Sequence, residues 1–137
     1  MREGGADRFS LTVPARAGLV GTIRVFASAV ARHYGLADDV VEDVKLAVSE
    51  ACTDPIDAGA GGELTVAIGR DGVDLVCEIT SAPWKAAAPS TDLPEGIDPA
   101  VLDRLQVVRA LFTDAQRSER EGGVAVRFST ASRTTTG

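Results

Sequence analysis

Three carboxylates lie close together in one stretch of the chain, at spacings that could let them act as a group. Glu50 and Asp54 are four residues apart and Asp57 follows three residues later, so on a helix all three project from the same side. Like charges at this spacing repel and weaken a helix by roughly 0.2–0.5 kcal/mol per pair. Such a group could hold a cation such as Mg²⁺ or Ca²⁺. The alternative is a solvated acidic edge near the end of a helix.

The segment Ala37–Ala60 must position these carboxylates, and it has the clearest helical pattern in the chain. Its apolar residues recur at three- and four-residue spacing and form one stripe: Val40, Val44, Ala47, Val48, Ala51 and Cys52. Asp39 followed by Glu42 has the spacing of a capping box, which predicts that the helix begins near Asp39. Pro55 lies inside the pattern and predicts a kink or an end close to Asp54.

The rest of the chain supplies strands and two further helices. Alternating apolar residues predict strands over Arg8–Val13, Glu63–Gly69, Val73–Ile79 and Val124–Phe128, with Val73, Leu75, Cys77 and Ile79 pointing inward. Helical spacing predicts helices over Leu19–Tyr34 and Ile97–Phe112, and the proline-rich residues 81–99 predict a long irregular loop. Together these elements predict an α+β fold, a two-layer sandwich with three helices on one face of a mostly antiparallel four-stranded sheet. Residues 1–137 are expected to form one domain with loose tails at about 1–7 and 131–137.

Composition excludes several classes of function. The chain has 137 residues and a net charge of −6 without any basic block, which argues against direct binding of nucleic acid. It has no long apolar run and no apolar stretch near Met1. We therefore expect no association with a membrane, and we expect a cytoplasmic location. Cys52 and Cys77 lie in apolar patterns without metal-ligand spacing and are predicted to be reduced core thiols. His33, the single histidine, has no nucleophile or base nearby and is expected to complement a helix dipole.

The octapeptide AVSEACTD at residues 47–54, in this order of elements, resembles the first nucleotide-binding box of a known family. That family is the RsbW-like anti-sigma-factor serine kinases, which have the histidine-kinase-like (GHKL, Bergerat) ATPase fold. The resemblance implies that Glu50 occupies the position of the general base that acts on a substrate serine. It also implies that Asp54 occupies the position of an asparagine that holds Mg²⁺ beside the phosphates of ATP.

The chain departs from the family pattern at the other positions that handle nucleotide. Asp54 adds a negative charge where the family has an uncharged asparagine. Ser81 stands where the resemblance places the adenine-binding aspartate, and the glycines of that box are absent. Arg104 stands where the family has a glycine that lets the backbone approach phosphate, and its side chain is expected to occlude the site. The resemblance therefore implies a pseudokinase with degenerate boxes, in which Asp54, Ser81 and Arg104 are remnants of the cofactor site.

The implied function is that of a bacterial stress-response regulator rather than an enzyme. Such a protein is an anti-sigma factor or related partner-switching component that binds a sigma factor, a STAS-type anti-sigma-factor antagonist or both, and forms a homodimer. Arg16, Arg24 and Arg32 make a cationic strip on the first helix and are expected to contact partners. Trp84 could anchor a partner or pin its loop to the core. The alternative function is an active serine-protein kinase that phosphorylates the antagonist; only then are ATP and Mg²⁺ expected as cofactors.

Overall fold

The computed structural model describes residues 8–84 and 104–134. Its strands are β1 Arg8–Pro14, β2 Glu63–Asp71, β3 Asp74–Ser81, β4 Gln116–Arg120 and β5 Gly123–Ser129. Its α-helices are α1 Val20–His33, α2 Asp38–Asp57 and α3 Arg104–Leu111, with short 3₁₀ turns at Ala17–Leu19 and Thr130–Ser132. The strands form one sheet in the order β1-β2-β3-β5-β4, and every neighbouring pair is antiparallel.

The core lies between this sheet and the helices. The inward-facing residues of β2 and β3 alternate along each strand, as a half-buried sheet requires, and all are buried: Leu64, Val66, Ile68, Leu75, Cys77 and Ile79. They meet the apolar stripes of α1 and α2, to which Ile23, Ala27, Val44 and Val48 contribute. The predicted α+β class with helices over a sheet is therefore confirmed. The periodic spacing of apolar residues is the pattern that predicted it.

The prediction of four strands was wrong, because the sheet has a fifth. The missed strand, β4, has the sequence QRSER and contains no apolar residue that could alternate with polar ones. It lies at the edge of the sheet and pairs with β5 alone. The turn between them contains Gly122 at a φ of 80°, a conformation that glycine adopts without strain. Pairing with β5 therefore made this segment a strand, which its own composition does not indicate.

The expectation that Val73 points inward was also wrong. Asp71 pairs with Asp74, so Gly72 and Val73 are the two residues of the hairpin turn. Gly72 has a φ of 65°, which a two-residue turn of this kind demands. Val73 is left 91% exposed. The alternation of apolar residues that predicted β3 includes Val73, although Val73 belongs to the turn before that strand.

The predicted capping box at the start of α2 is not formed. The helix begins at Asp38, its N-cap is Ala37, and no side chain caps it. Asp38 and Asp39 still lie in the first turn, where their charges interact favourably with the helix dipole. The start of this helix therefore has two negative charges in its first turn and lacks the reciprocal side-chain hydrogen bonds of a capping box.

Of the predicted kink or end near Asp54, the end is not found there, since α2 continues through Pro55 to Asp57. The last turn keeps its hydrogen bonds, with the amide of Ala58 donating to the carbonyl of Asp54 at 3.0 Å and that of Ala60 to Pro55 at 2.9 Å. Pro55 is buried, so its ring packs inside the fold while only its own backbone donor is missing. The continued helix keeps Asp57 on the same edge as the other two carboxylates.

Part of the segment that was expected to be a loose tail is bonded to the fold. The amide of Thr134 donates to the carbonyl of Leu111 at 2.8 Å, and Nε of Arg133 donates to Asp43 at 2.8 Å. The predicted helix start at Ile97, most of the 81–99 loop and the tail 1–7 lie outside the described residues. Among residues 8–84 and 104–134, no helix combines the length and the apolarity that crossing a membrane takes.

Candidate functional site

The three carboxylates of α2 surround one guanidinium, that of Arg104, the first residue of α3. Nε of Arg104 lies 3.2 Å from Oε2 of Glu50, Nη1 lies 3.7 Å from Oδ1 of Asp54, and Nη2 lies 2.9 Å from Oδ2 of Asp57. Each guanidinium nitrogen thus faces a different carboxylate. We call these four residues the Arg104 clasp.

The local structure explains why the clasp forms. The spacing of Glu50, Asp54 and Asp57 places the carboxylates on one edge of α2, and α3 packs beside α2 through the buried side chain of Val108. The side chains of Glu50 and Asp54 are only 27% and 22% exposed, so their charges are screened less by water than those of an ordinary surface pair. The guanidinium therefore relieves a repulsion that would otherwise weaken the end of α2.

These residues, as they are arranged, do not fit Mg²⁺ and a triphosphate. The side chain of Arg104 forms ion pairs with Glu50 and Asp54. These are the carboxylates at the positions that the resemblance gives to the base and the metal ligand. Among the described residues, three carboxylates lie against this one guanidinium, an excess of negative side chains that disfavours phosphate. In the part of the chain that the structure describes, no group of three or more His, Cys, Asp or Glu side chains is arranged to hold a metal ion.

Ser81 is not among the residues that form ion pairs with Arg104 in the described part of the chain. It is the last residue of β3, and its hydroxyl donates to the carbonyl of Ala82 at 3.1 Å. Its own carbonyl oxygen lies against Gly123 of the neighbouring strand, so closely that a Cβ there would be 2.3 Å away. Of the four predicted cofactor and catalytic residues, the structure therefore brings together Glu50, Asp54 and Arg104 but not Ser81.

Trp84 is pinned by a residue that the sequence did not indicate. The guanidinium carbon of Arg117 lies 4.5 Å from the centre of the indole ring, and Nη2 of Arg117 donates to the carbonyl of Trp84. Stacking of a cation on an indole ring contributes about 0.5–2 kcal/mol. Arg117 lies on β4, whose polar sequence offered no signal for such a contact. These contacts attach Trp84 to the edge strand β4.

The three arginines of the predicted strip have different surroundings. Nε of Arg24 donates to the hydroxyl of Ser49 at 3.0 Å, which ties α1 to the buried face of α2. Arg32 pairs with Asp38 at 2.8 Å on the surface. Arg16 is exposed and precedes the first 3₁₀ turn. Arg16 and Arg32 are therefore the more accessible members of the strip, and Arg24 also has a structural contact.

The remaining chemically active side chains are structural. Both cysteines are free and buried, and burial raises the pKa of the Cys52 thiol and of the Cys77 thiol to about 12, so neither forms a thiolate at neutral pH. The prediction of two reduced core thiols is confirmed. His33 contacts Phe9 and Tyr34 edge to face, with ring centres 5.4 and 5.1 Å apart.

A carboxylate that sequence patterns did not indicate, Asp114, organises the C-terminal segment. It accepts hydrogen bonds from the amide of Ser129 at 2.9 Å, from the hydroxyl of Ser129 and from the hydroxyl of Ser132 at 2.6 Å. Burial alone would raise the pKa of Asp114, but these hydrogen bonds outweigh it and lower the pKa below 3.8. The residues are 15 to 18 positions apart, so only the fold could show the cluster.

The pH dependence of stability follows from this shift. Because the pKa of Asp114 is lower in the folded state, its contribution is complete above 3.8 and is lost as the pH falls through the folded value. We expect the urea midpoint of the wild type to fall more steeply below about pH 4 than that of Asp114→Asn, which cannot titrate. Equal slopes for the two proteins from about pH 6 to pH 2.5 would contradict the assignment.

Comparison with known proteins identifies the family to which this chain belongs. The family model described as a histidine kinase-like ATPase domain matches residues 13–131. The serine-protein kinase RsbW of Halalkalibacterium halodurans is 40% identical over 57 residues, which are 42% of this chain and 35% of that protein. The RsbW of Bacillus subtilis is 44% identical over 54 residues, 39% of this chain and 34% of that protein. The chain thus matches about a third of the length of these curated relatives.

A solved structure shares the fold. The RsbU and RsbW domains of Rv1364c from Mycobacterium tuberculosis align with a TM-score of 0.69 over 94% of this chain and 34% of that one, at 16% identity. Likeness at this identity bears on the fold alone. Together with the sequence matches, it confirms the resemblance to RsbW-like proteins that the octapeptide at residues 47–54 indicated.

Proposed function

Because the chain belongs to the histidine kinase-like ATPase family, we propose that it acts as an anti-sigma factor or a related partner-switching regulator. It binds a sigma factor, a STAS-type antagonist or both, and it does so without depending on bound ATP. The observation that carries the second part is the Arg104 clasp, in which a guanidinium engages the two carboxylates that nucleotide chemistry would need.

The clasp argues against nucleotide on two physical grounds. A metal ion beside Glu50 and Asp54 would have to displace Arg104 from these two carboxylates and leave Asp57 as its one remaining partner in the clasp. A triphosphate without the metal would meet three carboxylates, against which the described residues place one guanidinium. Binding of nucleotide with or without the metal therefore has an electrostatic cost. A site with asparagine in place of Asp54 and glycine in place of Arg104 does not have this cost.

The proposed partner surface is the exposed side of α1. Arg32 offers a cationic group there, and Arg16 offers another just before the 3₁₀ turn that leads into α1. Val25, 68% exposed, offers an apolar contact between them in sequence. An apolar centre with charged groups around it is a common composition for a protein interface. Cations on a protein with a net charge of −6 also favour an acidic partner surface.

We further propose a homodimer through the face of the sheet that carries no helix. The middle of that face carries two charged side chains, Glu78 and Arg127, in register beside Ala67, and small uncharged ones around them: Ser10, Thr12, Thr65, Thr80 and Ala125. The hydroxyls of Thr12 and Thr65 are already joined at 2.8 Å, so they do not need a partner's groups. A flat face of this kind lets two copies approach closely about a two-fold axis.

Calorimetric titration with a sigma factor and with a STAS protein from the same genome tests the main proposal. We expect saturable binding to at least one of them, weakened about tenfold in Arg16→Glu/Arg32→Glu, because reversed charges oppose an acidic partner. Arg70→Glu, which reverses one charge on the β2–β3 hairpin, is the matched control for each of the single variants Arg16→Glu and Arg32→Glu. Light scattering on the free protein is expected to give twice 14.2 kDa. Absence of binding to both partners would refute the proposal.

Thermal unfolding with Mg-ATP tests the nucleotide part. A ligand present at 100 times its Kd stabilises the native state by about 2.7 kcal/mol, which corresponds to several degrees in Tm. We expect no change in Tm at millimolar Mg-ATP. A rise of several degrees would instead favour the serine-protein kinase alternative, which transfer of labelled phosphate to the STAS protein would then decide.

A further inference from the structure

We infer that two copies of this chain associate through the open face of the sheet in one particular register, which the charged residues Glu78 and Arg127 determine. The open face is the side of the sheet on which none of the described helices packs. The two-fold axis runs parallel to the strands and between β3 and β5, so that Glu78 of each copy meets Arg127 of the other. This inference rests on the homodimer proposed above and specifies how its two faces are aligned.

Glu78 and Arg127 lie side by side in the middle of the open face. They are register partners on β3 and β5, and their neighbours Ile79 and Val126 are buried on the opposite face, against the core. The side chain of Glu78 is 22% exposed, and Arg127 is exposed. Within residues 8–84 and 104–134, Arg127 forms no ion pair. Its guanidinium is therefore available to a carboxylate of a second copy.

A contact within the chain orients Glu78 toward the open face. Nη2 of Arg120 on β4 lies 2.9 Å from Oε2 of Glu78 on β3, so the arginine side chain crosses β5, which lies between these strands. Ala125 of β5 lies on the same face and is only 1% exposed, and its small side chain leaves the arginine a path. A carboxylate accepts several hydrogen bonds, so Glu78 can receive a second guanidinium through its other oxygen.

A two-fold axis between β3 and β5 matches opposite charges across the interface. It exchanges β3 with β5 and β2 with β4 and keeps each residue at its height along the strands. Glu78 then faces Arg127, and Glu63 faces Arg120 at the end of the sheet. Sheets that pack face to face lie about 10 Å apart, a gap that a glutamate and an arginine side chain span together. The other facing positions carry no charge: Ala67 with Gln116, Thr65 with Ser118, Thr80 with Ala125 and Val76 with Ser129.

Other two-fold axes on this face do not match its charges. An axis along β3 places Glu78 against its own copy, and an axis along β5 does the same with Arg127. An axis between β2 and β3 leaves Arg127 facing Ser10, and an axis at right angles to the strands leaves Glu78 facing Thr80. Like charges in contact, or a charge buried without a partner, strongly disfavour association. The two charged residues therefore select one alignment of the two faces.

Sedimentation equilibrium of the full-length protein tests this register with two single charge reversals. Arg127→Glu and Glu78→Arg each bring like charges together twice in a dimer, so we expect each variant alone to dimerise about a hundredfold more weakly than the wild type. An equal mixture of the two variants is expected to dimerise again. In the mixed dimer the two unaltered residues form one pair of opposite charges, and the two introduced residues form the other.

Arg70→Glu is the matched control, because it reverses a charge on the same sheet at a position whose guanidinium lies over the ring of Tyr34, 5.9 Å from its centre. It should dimerise as the wild type does. Circular dichroism establishes that each variant is folded. If Glu78→Arg does not fold because its contact with Arg120 is lost, Arg127→Glu is sufficient, since Arg127 is exposed and its reversal breaks no described ion pair.

The possible outcomes separate the register from the dimer itself. If the wild type is dimeric and Arg127→Glu dimerises as tightly, the register is refuted and the homodimer stands. If both variants stay monomeric when mixed, the register is also refuted, because the charges then act within one chain. A monomeric wild type would refute the homodimer together with its register. Binding of a sigma factor or a STAS protein is measured separately, so none of these outcomes decides it.

Discussion

Replacing Phe112 by alanine is expected to lower the free energy of unfolding by about 3–5 kcal/mol, the largest loss that we predict for a single side chain. Phe112 is fully buried and stacks on Phe128, so its removal leaves a cavity between α3 and the sheet. Urea denaturation followed by circular dichroism measures the change.

Phe9 provides a matched control for the loss of a phenyl ring. It is 38% exposed, and it contacts His33 and Tyr34 only edge to face, at 5.4 and 6.0 Å. Phe9→Ala should therefore cost about 1 kcal/mol or less. If the two substitutions destabilise the protein equally, the packing of Phe112 between α3 and the sheet is not what the structure indicates.

Gly123→Ala is expected to destabilise the protein by about 1–3 kcal/mol or more, although it adds a single methyl group. The new Cβ would lie 2.3 Å from the carbonyl oxygen of Ser81 and 3.4 Å from its carbonyl carbon. Both atoms belong to the backbone of β3, which pairs with β5 at Ser81 and Val124. Relief of the clash therefore requires separation of two paired strands, and a lower urea midpoint would report it.

Gly21→Ala is the control for this prediction. Gly21 lies within α1, and nothing lies within 4 Å of the Cβ that alanine would add. Alanine is more favourable than glycine inside a helix by about 0.8–1 kcal/mol, so this substitution should stabilise the protein. Opposite signs for the two glycine substitutions are expected. A neutral effect of Gly123→Ala would mean that β3 and β5 are not packed as closely as described.

The proposed function rests on charged contacts, whereas the predicted losses of stability rest on packing. Phe112 and Gly123 maintain the packing of the layers through the size of their side chains rather than through charge. The Arg104 clasp is specific to its charges, because three carboxylates at these spacings on α2 meet a single guanidinium from α3. A neutral residue in place of Arg104 would leave the carboxylates to repel one another. This dependence on charge is why the proposed loss of nucleotide binding centres on this residue.

The sequence alone determined the parts of the protein that depend on local periodicity and on residue type. The apolar stripe of α2 and the alternation in β2 and β3 predicted the layers, since burial on one face imposes these periods. The octapeptide at residues 47–54 indicated the family, and the comparisons confirmed it. Arg104 was expected to occlude the cofactor site because a long cation replaces glycine there.

Only the tertiary structure decided which distant residues meet. Strand β4 carries no apolar signal and became a strand by pairing with β5, and Trp84 is held by an arginine on that same strand. Asp114 gathers two serines that are 15 and 18 residues away. The sequence placed Arg104 near the site, but the fold decided that each of its nitrogens faces a different carboxylate, because only the packing of α3 on α2 brings residue 104 beside residues 50–57.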